Sequence, residues 1–358
     1  MTYIAGWKVG SSAYLMGDMA WTGGPRGYET SSFGQKRGQF QGRGVEEAAL
    51  KVVPIAPGVA LAFAGNVALA ENISRFIVDN YDASATAAQI FAAVQNSNGP
   101  FDPRAAVEIL LARAPVGAPP TLTYWSSVKG IIAQESVFED TGSLDPGVKG
   151  HARKVFATFR GCTEEEHLLA RITGSMQIYG LHNDLMSQGV GGMIWGLRVS
   201  QGKTMWQEDT AYVVYEDIGI RDSQFIFGAM RNDIFMVYSS FTKQLRYFGH
   251  PFLSDKPLDA WRQEAQTKVP HGFCSEFDPA RWRYCSAFAL AEKRVAFIRR
   301  ESLDVPSRHF TFAPEARSIV FLPELTGLLQ RRMSSPKKMG FGYLVDRQGP
   351  AQAGQPTA

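Results

Sequence analysis

Apolar and polar residues alternate in blocks over the start of the chain, and the blocks predict four strands followed by a helix. Two apolar stretches within the first 18 residues are separated by the turn sequence Gly10–Ser12, which predicts a hairpin. Residues 21–44 form a long, polar, Gly-rich loop. Apolar character returns at 51–55 and again at 59–65, where small residues dominate. A helix is expected from about Asn66.

Beyond these residues, helical and strand-like patterns alternate. Apolar residues recur at helical spacing in some segments, whereas Thr, Tyr, Trp and Ile dominate others. The predicted helices are 66–81, 85–96 (capped by Ser84 or Asp82), 103–114, 163–172 and 175–188. The predicted strands are 121–126, 130–138, 152–159, 193–199 and 204–208. This succession predicts the α+β class for the first part of the chain.

The second part of the chain has a mostly β pattern and carries no motif. The predicted strands are 211–215, 224–230, 234–238 and 245–248, with further core segments at 286–299, 308–312 and 318–321 and a short helix at 259–266. Aromatic residues that could cover a sheet face or form a partner surface are Trp261, Phe273, Trp282 and Tyr284. The pattern therefore predicts a core domain over 2–205, a β-rich extension over 206–345 and a disordered tail over 346–358.

Composition narrows the class of protein. Apolar residues make up 45% and charged residues 20% of the 358 residues, as in ordinary globular proteins. The net charge is only +3 and no dense Lys/Arg stripe is present, so we expect no nucleic-acid partner. Prolines and a glycine interrupt the longest apolar run, 52–64, so we expect no membrane span. We also expect no signal peptide and, from three scattered cysteines, a reducing cytoplasm; they are Cys162, Cys274 and Cys285.

Thr2 is the first candidate catalytic residue. Removal of the initiator Met, which a small second residue favours, would leave Thr2 with a free α-amine beside its own hydroxyl. An α-amine has a pKa of about 8, so part of it is unprotonated at neutral pH and can accept the hydroxyl proton. An N-terminal Thr activated in this way is a known nucleophile. Taken alone, Thr2 is more simply interpreted as an ordinary second residue.

Three further residues would complete a catalytic site. Lys51 would supply positive charge that lowers the pKa of the Thr2 hydroxyl and amine. Asp18 would pair with Lys51, because a buried ammonium group without a partner is costly. The N–H of Gly65 would donate to the oxyanion, with no side chain to crowd the substrate. The alternative interpretations are a turn residue at Asp18, a solvated strand entry at Lys51 and a strand–helix junction at Gly65.

The spacing of these residues resembles that of proteasome β subunits and their bacterial relatives, members of the N-terminal-nucleophile hydrolase family. In that family a Thr opens the first strand, an Asp closes the hairpin, a Lys begins the third strand, and an Ala-Gly or Ser-Gly pair ends the fourth, as Ala64-Gly65 does here. The Met-Thr-Tyr start is most similar to the bacterial Anbu-type group. The resemblance covers about residues 2–200 and is sharp over 2–81. The loop before Lys51 is longer than is usual in the family, so Lys36 is a weaker alternative to it.

The resemblance implies a fold, a reaction and a mode of assembly. The fold would be a four-layer αββα sandwich with an additional, mostly β C-terminal region. The reaction would be hydrolysis of a peptide or a smaller amide through an acyl-enzyme on Thr2, without a metal or an organic cofactor. Family members tend to assemble into rings or helical stacks, and an unfoldase would be a partner. The family also has a supporting Gly-Ser pair after a later strand; in this chain either Gly161-Cys162 occupies that place or the alignment has slipped there.

Other functions stay open on the sequence alone. The chain could be a catalytically silent scaffold of the same fold, which the Gly161-Cys162 mismatch and the large extension favour, or a small-molecule amidohydrolase. Cys162 paired with His167 is disfavoured as a nucleophile, because lone cysteines are usually core residues. The stretch 196–204 has the wrong glycine spacing for a P-loop. His182-Asn183-Asp184 has no second ligand pair at a helpful spacing for a metal.

Overall fold

The computed structural model describes most of the chain and divides it into two compact units. The described residues are 2–23, 30–36, 38–40, 42–143, 146–161, 163–216, 223–231, 233–250, 253, 279–303, 310–313, 318–321, 323–325, 327, 330 and 342–348. The first unit comprises the described residues within 1–207, 232–235 and 248–258, and the second comprises the rest. Cys162, Cys274, Trp261, Phe273 and the predicted helix at 259–266 lie outside the described residues.

The first unit alternates strands and helices. Its elements are β1 Tyr3–Val9, β2 Ser12–Asp18, β3 Ala20–Gly23, β4 Gly38–Phe40, β5 Arg43–Glu47, β6 Val52–Ala56, β7 Val59–Gly65, α1 Val67–Asp79, α2 Ala87–Asn98, β8 Val107–Arg113, β9 Thr121–Ser126, β10 Gly130–Ala133, β11 Phe138–Gly142, α3 Pro146–Phe159, α4 Glu165–His182, β12 Ile194–Ser200 and β13 Lys203–Trp206. Short 3-10 turns lie at Pro103–Ala105 and Leu185–Gln188. The predicted mixed α and β class is confirmed.

Two five-stranded antiparallel sheets form the centre of this unit. The first sheet has the order β11-β1-β2-β12-β13 and the second has the order β10-β9-β8-β7-β6. A small sheet, β3-β5-β4, is formed by the polar loop region between β2 and β6. The hairpin predicted for the first 18 residues is β1–β2, and Ile4 pairs with Gly17 in its register.

The sequence of β7 shows why the two large sheets pack face to face. Its side chains alternate, so that Ala60, Ala62 and Ala64 belong to a core cluster shared with residues of the first sheet, including Ile4 and Leu15. The alternate positions 59, 61 and 63 carry Val, Leu and Phe and belong to the cluster that includes the two following helices. The small face allows close approach of the sheets, and the large face fills the space under the helices.

Helices pack against each of the two five-stranded sheets. From α1 and α2, Ile73, Phe91 and neighbouring residues pack on the second sheet, and the ring of Phe91 stacks on Trp125 with 4.8 Å between centroids. From α3, Phe156 packs against Trp7 of the first sheet. Asn66 caps α1 through its side chain, and Thr86 caps α2 in a capping box, in place of the predicted Ser84 or Asp82. Among the described residues, no helix has the length and apolarity needed to cross a membrane.

Two predicted elements in the first unit are wrong in type. The predicted helix 103–114 is mostly strand β8, whose residues Ile109 and Leu110 are buried on opposite faces, in different core clusters. A strand buried on both faces has a continuous apolar run, which periodicity does not distinguish from a helix. The predicted strand 152–159 is part of α3, where the buried residues, listed next, recur every three or four positions: Val148, Ala152, Val155, Phe156 and Phe159.

The second unit is built on a seven-stranded sheet. Its strands are β14 Thr210–Tyr215, β15 Ser223–Arg231, β16 Ile234–Ser239, β17 Gln244–Gly249, β18 Tyr284–Ala289, β19 Arg294–Arg300 and, after a separate hairpin of β20 Phe310–Ala313 and β21 Ser318–Phe321, β22 Gly342–Gln348. The sheet order is β17-β16-β15-β14-β18-β19-β22. The first four strands correspond to the predicted 211–215, 224–230, 234–238 and 245–248.

The predicted tail begins too early. Strand β22 pairs in parallel with β19 from Arg294–Gly342 to Arg300–Gln348, so residues 346–348 belong to the sheet. Residues 346–348 are polar, so the composition alone predicted a tail. Pairing at a sheet edge uses backbone groups, which composition does not reveal. The remainder of the predicted tail, 349–358, lies outside the described residues.

Two histidines, the buried His250 and the half-buried His151, make stability depend on pH. Burial lowers the pKa of His151 and of His250 to about 4, whereas an unfolded His has a pKa near 6.5. The unfolded chain therefore takes up more protons between these values, and the free energy of unfolding should fall as pH is lowered from about 6.5 to about 4. Urea unfolding across this range should show a smaller pH dependence in His151→Met and in His250→Met than in the wild type. An unchanged dependence in both variants would contradict this expectation.

Candidate active site

The start of the chain is fixed inside the first sheet. Thr2 is 1% exposed and directly precedes β1, which lies between β11 and β2. Its carbonyl oxygen accepts a hydrogen bond from the Ser143 N–H at 3.0 Å. Gly142 has a φ of +122°, and a Cβ at that position would lie 1.9 Å from the Thr2 oxygen. Only glycine fits there, so the end of β11 holds the backbone of Thr2 through a very close approach.

Asp18 connects the first residues of the chain to distant backbone. The residue ends β2 and is fully buried. Its Oδ1 accepts the Tyr3 N–H at 2.8 Å, and its Oδ2 accepts the Ala20 N–H at 3.2 Å and the Gly191 N–H at 2.9 Å. A carboxylate bonded by several backbone N–H groups is strongly held in one orientation. Asp18 is therefore a structural centre of the site and more than the turn residue of the alternative interpretation.

Lys51 reaches the same carboxylate. Its Nζ donates to Asp18 Oδ1 at 2.6 Å and to the Ala20 carbonyl oxygen at 2.5 Å, and both ionic side chains are 0% exposed. Burial lowers the pKa of Lys51, and the negative charge of Asp18 opposes that shift. The solvated strand entry considered for Lys51 is wrong. Lys36, the weaker alternative, is exposed in the 30–36 loop.

One oxygen atom brings the ammonium group to the chain start. Asp18 Oδ1 accepts from both Lys51 Nζ and the Tyr3 N–H, so the two nitrogens cannot be farther apart than these two hydrogen bonds combined. The Tyr3 nitrogen belongs to the peptide group that carries the Thr2 carbonyl. The structure therefore brings Asp18 and Lys51 together beside Thr2.

Gly65 ends the strand next to Lys51. The N–H of Phe63, two residues earlier in β7, donates to the Lys51 carbonyl oxygen at 3.0 Å. Gly65 itself is exposed, has a φ of +102°, and a Cβ there would lie 2.2 Å from the Ala106 carbonyl oxygen. The backbone of Ala106, just before β8, therefore requires glycine at position 65, whether or not a side chain there would also crowd a substrate. The oxyanion role of its N–H stays a prediction.

Residues 191–194 form a support for the site that the sequence interpretation missed. The Gly191 N–H donates to Asp18, the Gly192 oxygen accepts from Gln177 Nε2 at 2.8 Å, and the N–H of Ile194 donates to Gln177 Oε1 at 2.8 Å. The backbone entering β12 is therefore held by side chains from two distant elements. The Gly-rich sequence 189–192 was visible, but nothing in it indicates which side chains would bond it.

Glu47 completes this support from the other side. The residue is fully buried at the end of β5. Its Oε1 accepts the Met193 N–H at 2.6 Å, and its Oε2 accepts the Ser32 N–H at 2.8 Å and the Ser32 hydroxyl at 2.7 Å. The long loop before Lys51 is thus attached to the same backbone segment as Asp18. The sequence shows an acidic residue four positions before Lys51, but nothing in it indicates that this carboxylate is buried.

The place expected for the family's Gly-Ser pair, at Gly161-Cys162, does not follow a strand. The strand that it was expected to follow is helix α3, and Gly161 is an exposed residue just after that helix. The described Gly-Ser pair that contacts Thr2 is Gly142-Ser143, at the end of a strand paired with β1. Cys162 lies outside the described residues.

Two other chemical motifs considered from the sequence lie at the two ends of α4. His167 Nε2 lies 2.9 Å from Glu164 Oε2 and 3.0 Å from Glu166 Oε1, which forms the one group of three potential metal ligands within the described part of the chain. It is a buried imidazole beside two exposed carboxylates at the start of α4. His182 ends α4, and Asp184 follows it in a left-handed conformation.

Comparison with known proteins adds no identification. The chain matches no protein-family model, and no curated protein matches it in sequence. Inferences about its function therefore rest on the geometry around Thr2, Asp18 and Lys51.

The buried ion pair predicts an asymmetric response to mutation. Asp18→Asn should lower the free energy of unfolding by about 3–5 kcal/mol, because it leaves a buried ammonium group without a counter-charge. Lys51→Met should cost less, since the Asp18 carboxylate keeps three backbone N–H donors. Chemical denaturation measures both, with the exposed Asp82→Asn as a control that should change little. A larger loss in Lys51→Met would contradict this account.

The contact at Gly142 predicts a local steric effect. Gly142→Ala should destabilise by roughly 2–4 kcal/mol, because its Cβ would overlap the Thr2 carbonyl. The matched control is Gly117→Ala, where φ is +76° and no atom lies within 4 Å of the added Cβ. That change should cost only the left-handed conformation, about 1–2 kcal/mol. Equal losses of stability in the two variants would show that the overlap with Thr2 does not matter.

Proposed function

We propose that the chain is a threonine-type N-terminal-nucleophile hydrolase that cleaves peptide or amide bonds at Thr2. The observation that carries the proposal is the sharing of Asp18 Oδ1 by Lys51 Nζ and the Tyr3 N–H, which sets a buried ammonium group beside the peptide of Thr2. A hydroxyl nucleophile needs such a charge, because its own pKa lies far above neutral pH.

The proposed fold is the four-layer αββα sandwich of that family. Its support is the packing of two five-stranded sheets through the alanine face of β7, with α1 and α2 on one outer face and α3 and α4 on the other. In this proposed fold the start of β1, the end of β2 and Lys51, directly before β6, meet at the Asp18 carboxylate.

The proposed reaction starts after removal of Met1. The free α-amine of Thr2 accepts the proton of its own hydroxyl as the oxygen attacks the substrate carbonyl carbon. The ammonium group of Lys51 stabilises the developing negative charge on that oxygen, and the N–H of Gly65 donates to the oxyanion. The α-ammonium then gives its proton to the leaving amine, and an ester on Thr2 is formed. Water, deprotonated by the same amine, hydrolyses this ester and restores Thr2.

A catalytically silent scaffold is the second candidate function. The burial of Thr2, at 1% exposure in the chain that still carries Met1, favours it, because a nucleophile must meet its substrate. We prefer the hydrolase, because burying the Lys51–Asp18 pair costs desolvation energy. A site with a purely structural role could avoid that cost with apolar side chains.

Intact mass and covalent labelling test the proposal. The purified protein should lack Met1 and react with one equivalent of a peptide epoxyketone, which requires both the hydroxyl and the free amine of an N-terminal Thr. Thr2→Ala should also lose Met1 but take up no label, whereas Thr2→Ser should retain labelling. Lys51→Met should lower kcat/KM for a peptide library by about a hundredfold or more, as expected for loss of a charge at the reacting oxygen.

The outcomes separate the candidates. Retained Met1, or equal labelling of the wild type and Thr2→Ala, would rule out the proposed nucleophile. Loss of Met1 without labelling or hydrolysis of any peptide or N-acyl substrate would favour the silent scaffold.

A further inference from the structure

The strand that follows Lys51 is at the edge of its sheet. β6 pairs only with β7 in the described sheet order, and the Lys51 carbonyl oxygen accepts the Phe63 N–H on that inner side. Successive residues of a strand direct their carbonyl groups to opposite sides. The carbonyl of Val52 therefore points away from β7, although Val52 is fully buried. A buried carbonyl oxygen requires a donor.

His250 supplies that donor from almost 200 residues further along the chain. Its Nε2 lies 3.0 Å from the Val52 oxygen, and the residue is 3% exposed. Its ring also packs edge-on against Phe63, with 6.2 Å between ring centroids. His250 thus contacts the residue after Lys51 and the residue that bonds the Lys51 carbonyl.

The residues around His250 are part of the first unit. Residues 248–250 and 253 belong to this unit even though the strand that leads to them begins in the second. Phe248 is buried, and Leu253 packs against the cluster that includes α1 and α2. The Leu253 N–H donates to the His250 carbonyl oxygen at 3.0 Å.

We propose that His250 is a positioning residue for Lys51: its bond to Val52 and its contact with Phe63 fix the backbone from which Lys51 reaches Asp18. The catalytic consequence rests on the proposed function, whereas the positioning of the backbone does not. Four rotatable bonds separate the Lys51 backbone from its ammonium group, which meets Asp18 Oδ1 at 2.6 Å. A change in the direction in which the side chain leaves the backbone therefore moves the ammonium group away from that oxygen.

The protonation of His250 agrees with a donor at Nε2. Burial lowers its pKa to about 4, against smaller opposing effects of the Val52 carbonyl and of Asp233. At neutral pH the imidazole is therefore uncharged, and the proton on Nε2 is the one that the Val52 oxygen accepts. The contact is a neutral hydrogen bond over the working pH range.

Two amides and one apolar side chain test the role of the donor. The amide nitrogen of His250→Gln reaches about as far as Nε2, that of His250→Asn is too short, and His250→Met fills the volume without a donor. His151→Met is the matched control, because His151 is a half-buried histidine that also has a pKa of about 4 but stacks on Tyr179 of α4. Hydrogen exchange of the Phe63 amide, followed by mass spectrometry or NMR, reports on the Lys51 backbone in every variant.

We expect exchange of the Phe63 amide to be at least about tenfold faster in His250→Met and His250→Asn, and close to wild type in His250→Gln and His151→Met. In the active enzyme kcat should fall about tenfold with KM within twofold in the first two variants, and His250→Gln should recover most of the loss. His250→Asn keeps the comparison usable if His250→Met does not fold.

Amide exchange at Phe63 tests the positioning role, and hydrolytic activity tests the proposed function, so the two can fail independently. Unchanged Phe63 exchange in His250→Met and His250→Asn, or equal loss of kcat in His250→Gln, would overturn the positioning role. A wild-type protein without hydrolytic activity, but with the expected exchange pattern, would refute the proposed function while leaving the positioning of Lys51 supported.

Discussion

The first unit depends on one buried ion pair. Asp18 and Lys51 are both fully buried, and together they bond backbone groups of β1, β3 and the segment before β12. Removing two charges from water is costly, and the energy is recovered only when every lone pair and proton has a partner. The glycines, strand ends and polar side chains around the pair supply those partners. Stability and the proposed chemistry therefore share the same atoms.

Local features of the site were accessible from the sequence, and distant ones were not. Asp18 and Lys51 could be predicted because each sits at the boundary of a short strand close to the chain start. Ser143 and Gly191 could not, because their relevance comes from contacts of their backbone N–H groups with Thr2 and Asp18 across more than a hundred residues. Such contacts leave no periodicity in the sequence, since they are made by main-chain groups that every residue possesses.

The errors in secondary structure have a similar origin. Strand β8 was interpreted as a helix because Ile109 and Leu110 are apolar neighbours on opposite faces of a strand with packed layers on both sides. Helix α3 was interpreted as a strand because only part of its apolar stripe was considered. The overall class survived both errors, because exchanging one helix and one strand leaves an α+β pattern. The location of the supporting Gly-Ser pair did not survive, since it depended on which element preceded it.

The bond between the Tyr3 N–H and Asp18 fixes the backbone directly after Thr2. Under the proposed chemistry, the Thr2 nitrogen must become a free amine, so removal of the residue before it is a step in assembling the catalytic site. A leader or affinity tag fused ahead of Thr2 would convert that nitrogen into an amide and would have to pass the closely packed end of β11. Any label or fusion therefore belongs elsewhere on the polypeptide.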